Sequence, residues 1–111
     1  MNENDVLKAV CDIYGMEVSK AVTPVRRASG TLLDVQVICS ALLRHELPTK
    51  YVGIRKMTHK EISEMFNKSN HSAICHFMTL YHNLMETNKY FRGQVSFILS
   101  KIDIQNENNQ N

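Results

Sequence analysis

Residues 58–91 read THKEISEMFNKSNHSAICHFMTLYHNLMETNKYF, and this stretch decides the fold. It opens on a helix start signal: the Thr58 hydroxyl can accept from the Glu61 amide while the Glu61 carboxylate reaches back to the Thr58 amide. Ile62, Met65 and Phe66 then supply one apolar face, which predicts a short helix. NKSN interrupts it. Ser69 or Asn70 caps a second helix running to about Glu86, with Ile74, Phe77, Met78, Tyr81 and Leu84 on one side. With Ile74 turned inward, His71, Ser72, Cys75 and Thr79 fall on or beside the opposite face and His76 at its flank. The polar cluster SNHSAICH is therefore expected to be an outward-facing first turn. Two helices joined by a four-residue break, the second crowded with polar side chains at its start, match a helix-turn-helix.

Working outward, NDVLKAVCDIY (4–14) sets Val6, Ala9, Val10 and Ile13 at helical spacing behind Asn4 or Asp5 as cap, with Gly15 as the stop. A helical turn follows around Glu17 to Ala21, and TPVRRASG (23–30) then reads as an exposed basic loop. The next helix is expected from about Thr31 to Glu46, with Pro48 preventing its continuation, as the central core helix. The connection PTKYVGIRKM (48–57) should lie on the surface. A last helix from about Lys89 to Lys101 packs Phe91, Val95, Phe97, Ile98 and Ile102. Residues 1–102 thus form one all-α domain, a compact bundle of about five to six helices, and 103–111 a disordered polar tail.

With 111 residues, 43% apolar and 22% charged, the chain can bury one core. No run approaches a membrane span, and MNENDV is acidic where a secretory signal is basic, so a cytoplasmic protein without membrane contact is expected. Cys11, Cys39 and Cys75 are odd in number and lack CxxC spacing, which argues against a disulfide framework. The net charge of +2 is unevenly spread: cations and anions balance at six each up to Lys50, and six face three from Tyr51 to Arg92. That local excess suits an anionic partner.

His71 and Cys75, four apart, could share a metal ion with His82 or His45, but no further ligand stands at a recognisable spacing. Cys75 with His71 or His76 as base could act as a nucleophile, yet no loop suits an oxyanion hole. No GxxxxGK followed by Ser or Thr is present, so nucleotide binding is not expected. Neither enzyme activity, nor a metal, nor a cofactor is anticipated.

The order of elements and the run EISEMFNKSNHSAICHFMTLYHNLMETNKYF resemble the C-terminal DNA-binding domain of DnaA, the bacterial replication initiator. Its hallmark is a helix, then F-G-x-R-D-H-S/T-T-V-x-H, then a helix of basic and apolar residues. Phe66, His71, Ser72, Ile74 and His76 stand where that motif has Phe, His, Ser/Thr, Val and the second His. VLKAVCDIYGMEV is similar to the domain's opening helix, Arg26 and Arg27 fall in its basic loop, and VQVICSALLRH resembles its R-Q-x-A-x-Y-L-x-R-x helix. The likeness runs to about Lys101. It implies a free-standing, sequence-specific binder of double-stranded DNA, an adaptor or regulator associated with replication or a mobile element and without ATPase activity.

By the same resemblance, Asn70, His71, Ser72 and Cys75 would face bases in the major groove. Arg44, Lys60 and Lys68 would lie near phosphates, and Arg26 and Arg27 would approach the minor groove. Ser69-Asn70 replaces the family's Arg-Asp, Ala73 its second Thr, and Gln36 the arginine that opens its long helix. An Asn that both donates and accepts reads a different base pattern from an acceptor-only Asp. The competing reading is a protein-interaction module of the same fold, offering the face around His71, Cys75 and Thr79 to a replication protein.

Overall fold

The structure, a computed structural model, describes residues 2–23, 30–68 and 72–109, without the side chains of 108 and 109. Its elements are α1 (Glu3–Ile13), α2 (Val18–Ala21) and α3 (Gly30–Ala41), which passes through a π-helical turn (Leu42–Glu46) into α4 (Leu47–Lys50). They are followed by α5 (His59–Met65), α6 (Ser72–Thr87) and α7 (Lys89–Asn109). Since α3, the π turn and α4 are continuous, the described residues form six helical bodies, with no strand among them. This is the all-α bundle expected from the sequence.

α3 is the axis of the bundle. Val35 to Ala41 are all buried, the signature of a helix covered on every side. α1, α2 and α6 pack against it, and α7 closes the bundle across α1 and α6. Two buried polar side chains on α3 are hydrogen-bonded: Gln36 Nε2 donates to the Ala21 carbonyl at 3.0 Å, and Ser40 Oγ to the Gln36 carbonyl at 2.6 Å. Gln36 thus sits in the core, where it holds the C-terminal end of α2.

Both ends of α1 follow from local chemistry. Asn2, rather than Asn4 or Asp5, is the cap, in a reciprocal box with Asp5. Gly15, at φ +65, ends the helix with Met16 N–H donating to Cys11 and Gly15 N–H to Asp12.

The expected stop at Pro48 is overturned, because the helix runs on to Lys50. A proline inside an α-helix removes one donor and pushes its ring into the preceding turn, at a cost of about 3 kcal/mol. Here the turn before it is widened to π spacing, with Leu47 N–H donating to the Leu42 carbonyl five residues back. In that spacing the missing Pro48 donor belongs to the Leu43 carbonyl, and the Met57 amide fills the gap at 3.3 Å. Arg44 Nη1 in turn donates to the Met57 carbonyl at 3.1 Å.

The other difference lies at the C-terminal end. The helix expected to finish near Lys101 and yield to a disordered tail continues to Asn109. Residues 99–109 contain neither Gly nor Pro to stop it, Ile102 is buried, and Asp103 pairs with Lys50 at 3.1 Å.

Two tyrosines report on this packing. Tyr81 meets Phe91 edge-on at 5.9 Å between α6 and α7, and burial, helped by Glu46, pushes its phenol up to about 12. Burial raises Tyr14 to about 12 as well, with Asp34 adding to the shift. The folded state therefore holds these protons more tightly than the unfolded chain, whose tyrosines titrate near 10. Stability should be intact below about pH 10 and fall as pH rises through the range to 12. Ultraviolet titration of tyrosinate should show a late phase containing Tyr14 and Tyr81 that merges with the main phase in denaturant. A single phase near 10 in the folded protein would contradict it.

Candidate nucleic-acid interface

The candidate surface is the corner between α5 and α6. α5 starts on the reciprocal box expected from THKE, with Glu61 N–H donating to Thr58 Oγ1 at 3.1 Å and Thr58 N–H to the Glu61 carboxylate at 3.0 Å. Arg55 closes on the same carboxylate at 2.7 and 2.8 Å. Those hydrogen bonds, Arg55's first, hold the Glu61 carboxyl down at about 2, so this cap persists through ordinary acid conditions.

α5 ends in a turn that only one kind of side chain makes easily. Lys68 N–H donates to the Ser63 carbonyl at 2.9 Å and Asn67 N–H to that of Glu64 at 3.1 Å, a closure that needs a left-handed residue. Asn67 takes that conformation at φ +57. Asn is among the few non-glycine residues that tolerate it. Its side chain adds a long-range tie: Nδ2 donates to the Val22 carbonyl at 2.6 Å. The turn is thereby fixed to the end of α2, where the segment holding Arg26 and Arg27 begins.

Beyond the corner, Ile74, Phe77, Met78 and Tyr81 of α6 are buried, while Ser72, Cys75, His76 and Thr79 are exposed. Cys75 Sγ lies 3.2 Å from His59 Nδ1 of α5, and Thr79 Oγ1 donates to the Cys75 carbonyl. The sequence offered His71 or His76 as companion to this thiol; the structure brings up His59, sixteen residues earlier. Only the packing of α5 on α6 makes them neighbours. Among the described residues no three His, Cys, Asp or Glu side chains converge as a metal site would require.

The expected phosphate contacts divide. Lys60 is exposed on α5, next in sequence to His59. Lys68 is half-buried with Nζ 5.8 Å from the Phe77 ring centroid, and that burial lowers its pKa. Arg44 is half-buried, engaged with Met57, and its Nε is buried without a partner. Its charge therefore serves the chain connection directly. His45, exposed nearby, has its pKa lowered by partial burial and then by the charges of Arg44, Lys56 and His82, a basic group the sequence did not reveal. Asn70, His71, Arg26 and Arg27 lie outside the described residues. Comparison with protein families, curated proteins and solved structures found no match. No helix among the described residues is long and apolar enough to cross a membrane.

Two substitution sets test the corner and the clamp. Asn67→Gly keeps the left-handed turn and loses only the bond to Val22, whereas Asn67→Ala also strains the backbone. Urea unfolding should show a cost of about 0.5–1.5 kcal/mol for the first and a further 1–2 kcal/mol for the second. Equal costs would mean the turn is not held left-handed. Arg44→Ala should cost about 1.5–3 kcal/mol, as befits a charged donor to a buried carbonyl. Hydrogen exchange should then speed up at the Met57 amide, and a loss below about 0.5 kcal/mol would show the clamp to be dispensable.

Proposed function

We propose that this chain binds double-stranded DNA, using α5, the 66–71 connection and α6 as a helix-turn-helix in the manner its likeness to the DnaA C-terminal domain implies. The observation that carries the reading is the bond from Asn67 to Val22, because it joins the root of the Arg26–Arg27 segment to the corner from which α6 sets out. The segments suited to the minor and major grooves then leave the bundle from one place. The exposed Ser72, Cys75, His76 and Thr79 support the reading by giving α6 a polar outer face, with Lys60 on the neighbouring helix.

In this reading Asn70, His71, Ser72 and Cys75 meet base edges in the major groove, Arg26 and Arg27 approach the minor groove, and Lys60 and Lys68 lie near phosphates. The protein acts as an adaptor or regulator in replication or on a mobile element, without nucleotide hydrolysis. With so few cations its affinity is modest and falls with salt. A second reading, docking of a replication protein on the same face, is favoured by one observation: Arg44 and Lys68 are engaged inside the protein and leave less charge for phosphates.

Selection of bound duplexes from a random DNA pool at moderate salt separates the two. DNA reading requires an enriched motif that His71→Ala and Asn70→Ala lose. Arg26→Ala and Lys60→Ala should instead weaken every duplex alike and flatten the salt dependence by about one unit of slope each. Absence of enrichment, with background binding only, would leave the protein-docking reading.

A further inference from the structure

An exposed face of α7, bordered by α1, carries three large apolar side chains at intervals of seven: Tyr90 is 76% exposed, Phe97 51% and Ile104 56%. Isolated exposed apolar residues are ordinary, but a stripe that repeats every seven residues keeps to one side of a helix over four turns and is the pattern of a helix-helix seam. The buried face of the same helix is a separate one, made by Phe91, Val95, Ile98 and Ile102, so the stripe is not needed to hold the bundle together.

The surface between the first two of these side chains is concave. Tyr90, Gly93, Gln94 and Phe97, with Lys89 at the edge, line a shallow cavity. Positions i, i+3, i+4 and i+7 are the four that form a hole for a knob from a facing helix. Gly93 is its floor, and a Cβ built there would meet nothing within 4 Å. A second hollow adjoins it, lined by Asp12 and Ile13 of α1 and by Phe97 and Lys101 of α7.

We infer that this face is a homodimer interface, with α7 of a second copy lying antiparallel across it. The stripe supplies both halves of the fit, since Phe97 is a knob of the right kind for the hole over Gly93, and a two-fold axis lets each copy fill the other's. In that register Tyr90 packs between Phe97 and Ile104 of the second copy. The charges agree with this direction: Lys89 comes beside Asp103 of the second copy, whose carboxylate holds Lys50 of its own chain through Oδ2 and is still partly exposed, whereas a parallel pairing would set Lys89 beside Gln94, with no anion. The antiparallel arrangement also opposes the two helix dipoles. About 20 Å of helix between Tyr90 and Ile104 is a small seam, so the dimer forms at micromolar concentrations and above and exchanges readily.

Sedimentation velocity of the full chain over a wide concentration range tests this. The wild type should shift from monomer to dimer with a midpoint in the micromolar range. Phe97→Glu should remain monomeric throughout, with unchanged helicity by circular dichroism. Gly93→Leu should also be monomeric because the side chain fills the hole, while its melting temperature stays level or rises, since a helical glycine is being replaced. Lys89→Glu should weaken the dimer at least threefold. A wild type that stays monomeric at several hundred micromolar would overturn the inference, and so would a dimer that survives both Phe97→Glu and Gly93→Leu.

Discussion

Pro48 has no amide hydrogen to give, and the second half of the molecule is positioned around that lack. The Leu43 carbonyl, left without a donor from its own helix, receives the Met57 amide, and Arg44 reaches to the Met57 carbonyl. Two bonds of opposite polarity thus grip a single residue at the far end of the 51–57 connection. The next residue, Thr58, is the cap of α5, so the place where the chain re-enters helix is dictated by a proline ten residues earlier. From there α5 sets the corner, Asn67 pins the corner to α2, and α6 starts from it. A helix defect is ordinarily a loss; this one becomes an attachment point because a neighbouring segment satisfies what the defect leaves open.

Much of this could be read from the residues, and what escaped has a common cause. The capping box at Thr58 and Glu61, the glycine stop at 15 and the inward face of α6 are set by residues within a few positions of one another. Local chemistry is visible in a one-dimensional string. The passage of α3 through Pro48 was not, because the compensating donor lies on Met57. The same holds for Gln36, which the resemblance matches to an arginine and which the fold buries to hold Ala21. Nor could the pairing of Cys75 with His59 be seen, since it requires α5 and α6 to be docked. The end of α7 escaped for a different reason: its composition reads as polar tail, while one buried isoleucine and one ion pair near its start are enough to extend the helix.

The cations illustrate how formal charge and available charge differ. Arg55 is spent on Glu61, Lys50 on Asp103, Arg44 on a backbone carbonyl, and Lys68 leans on an aromatic ring. An exposed pair adds little to stability on its own. What these contacts do is reduce the positive surface that a count of lysines and arginines suggests. The outer face of α6 is consequently more polar than charged, a surface for directional hydrogen bonds rather than for bulk attraction of an anion.

The clamp on Met57 takes hold of that residue's backbone groups alone, and the tip of the connection before it carries little of the packing. Val52 and Gly53 stand fully in solvent or nearly so, and Lys56 is exposed as well. Tyr51 and Ile54 still lean on the core and Arg55 holds Glu61, so the Val52–Gly53 tip is the part of the chain whose length can drift over evolutionary time without moving α5. That tip is also the natural site for inserting a foreign peptide or an epitope, because the residues on either side of it are fastened to the bundle.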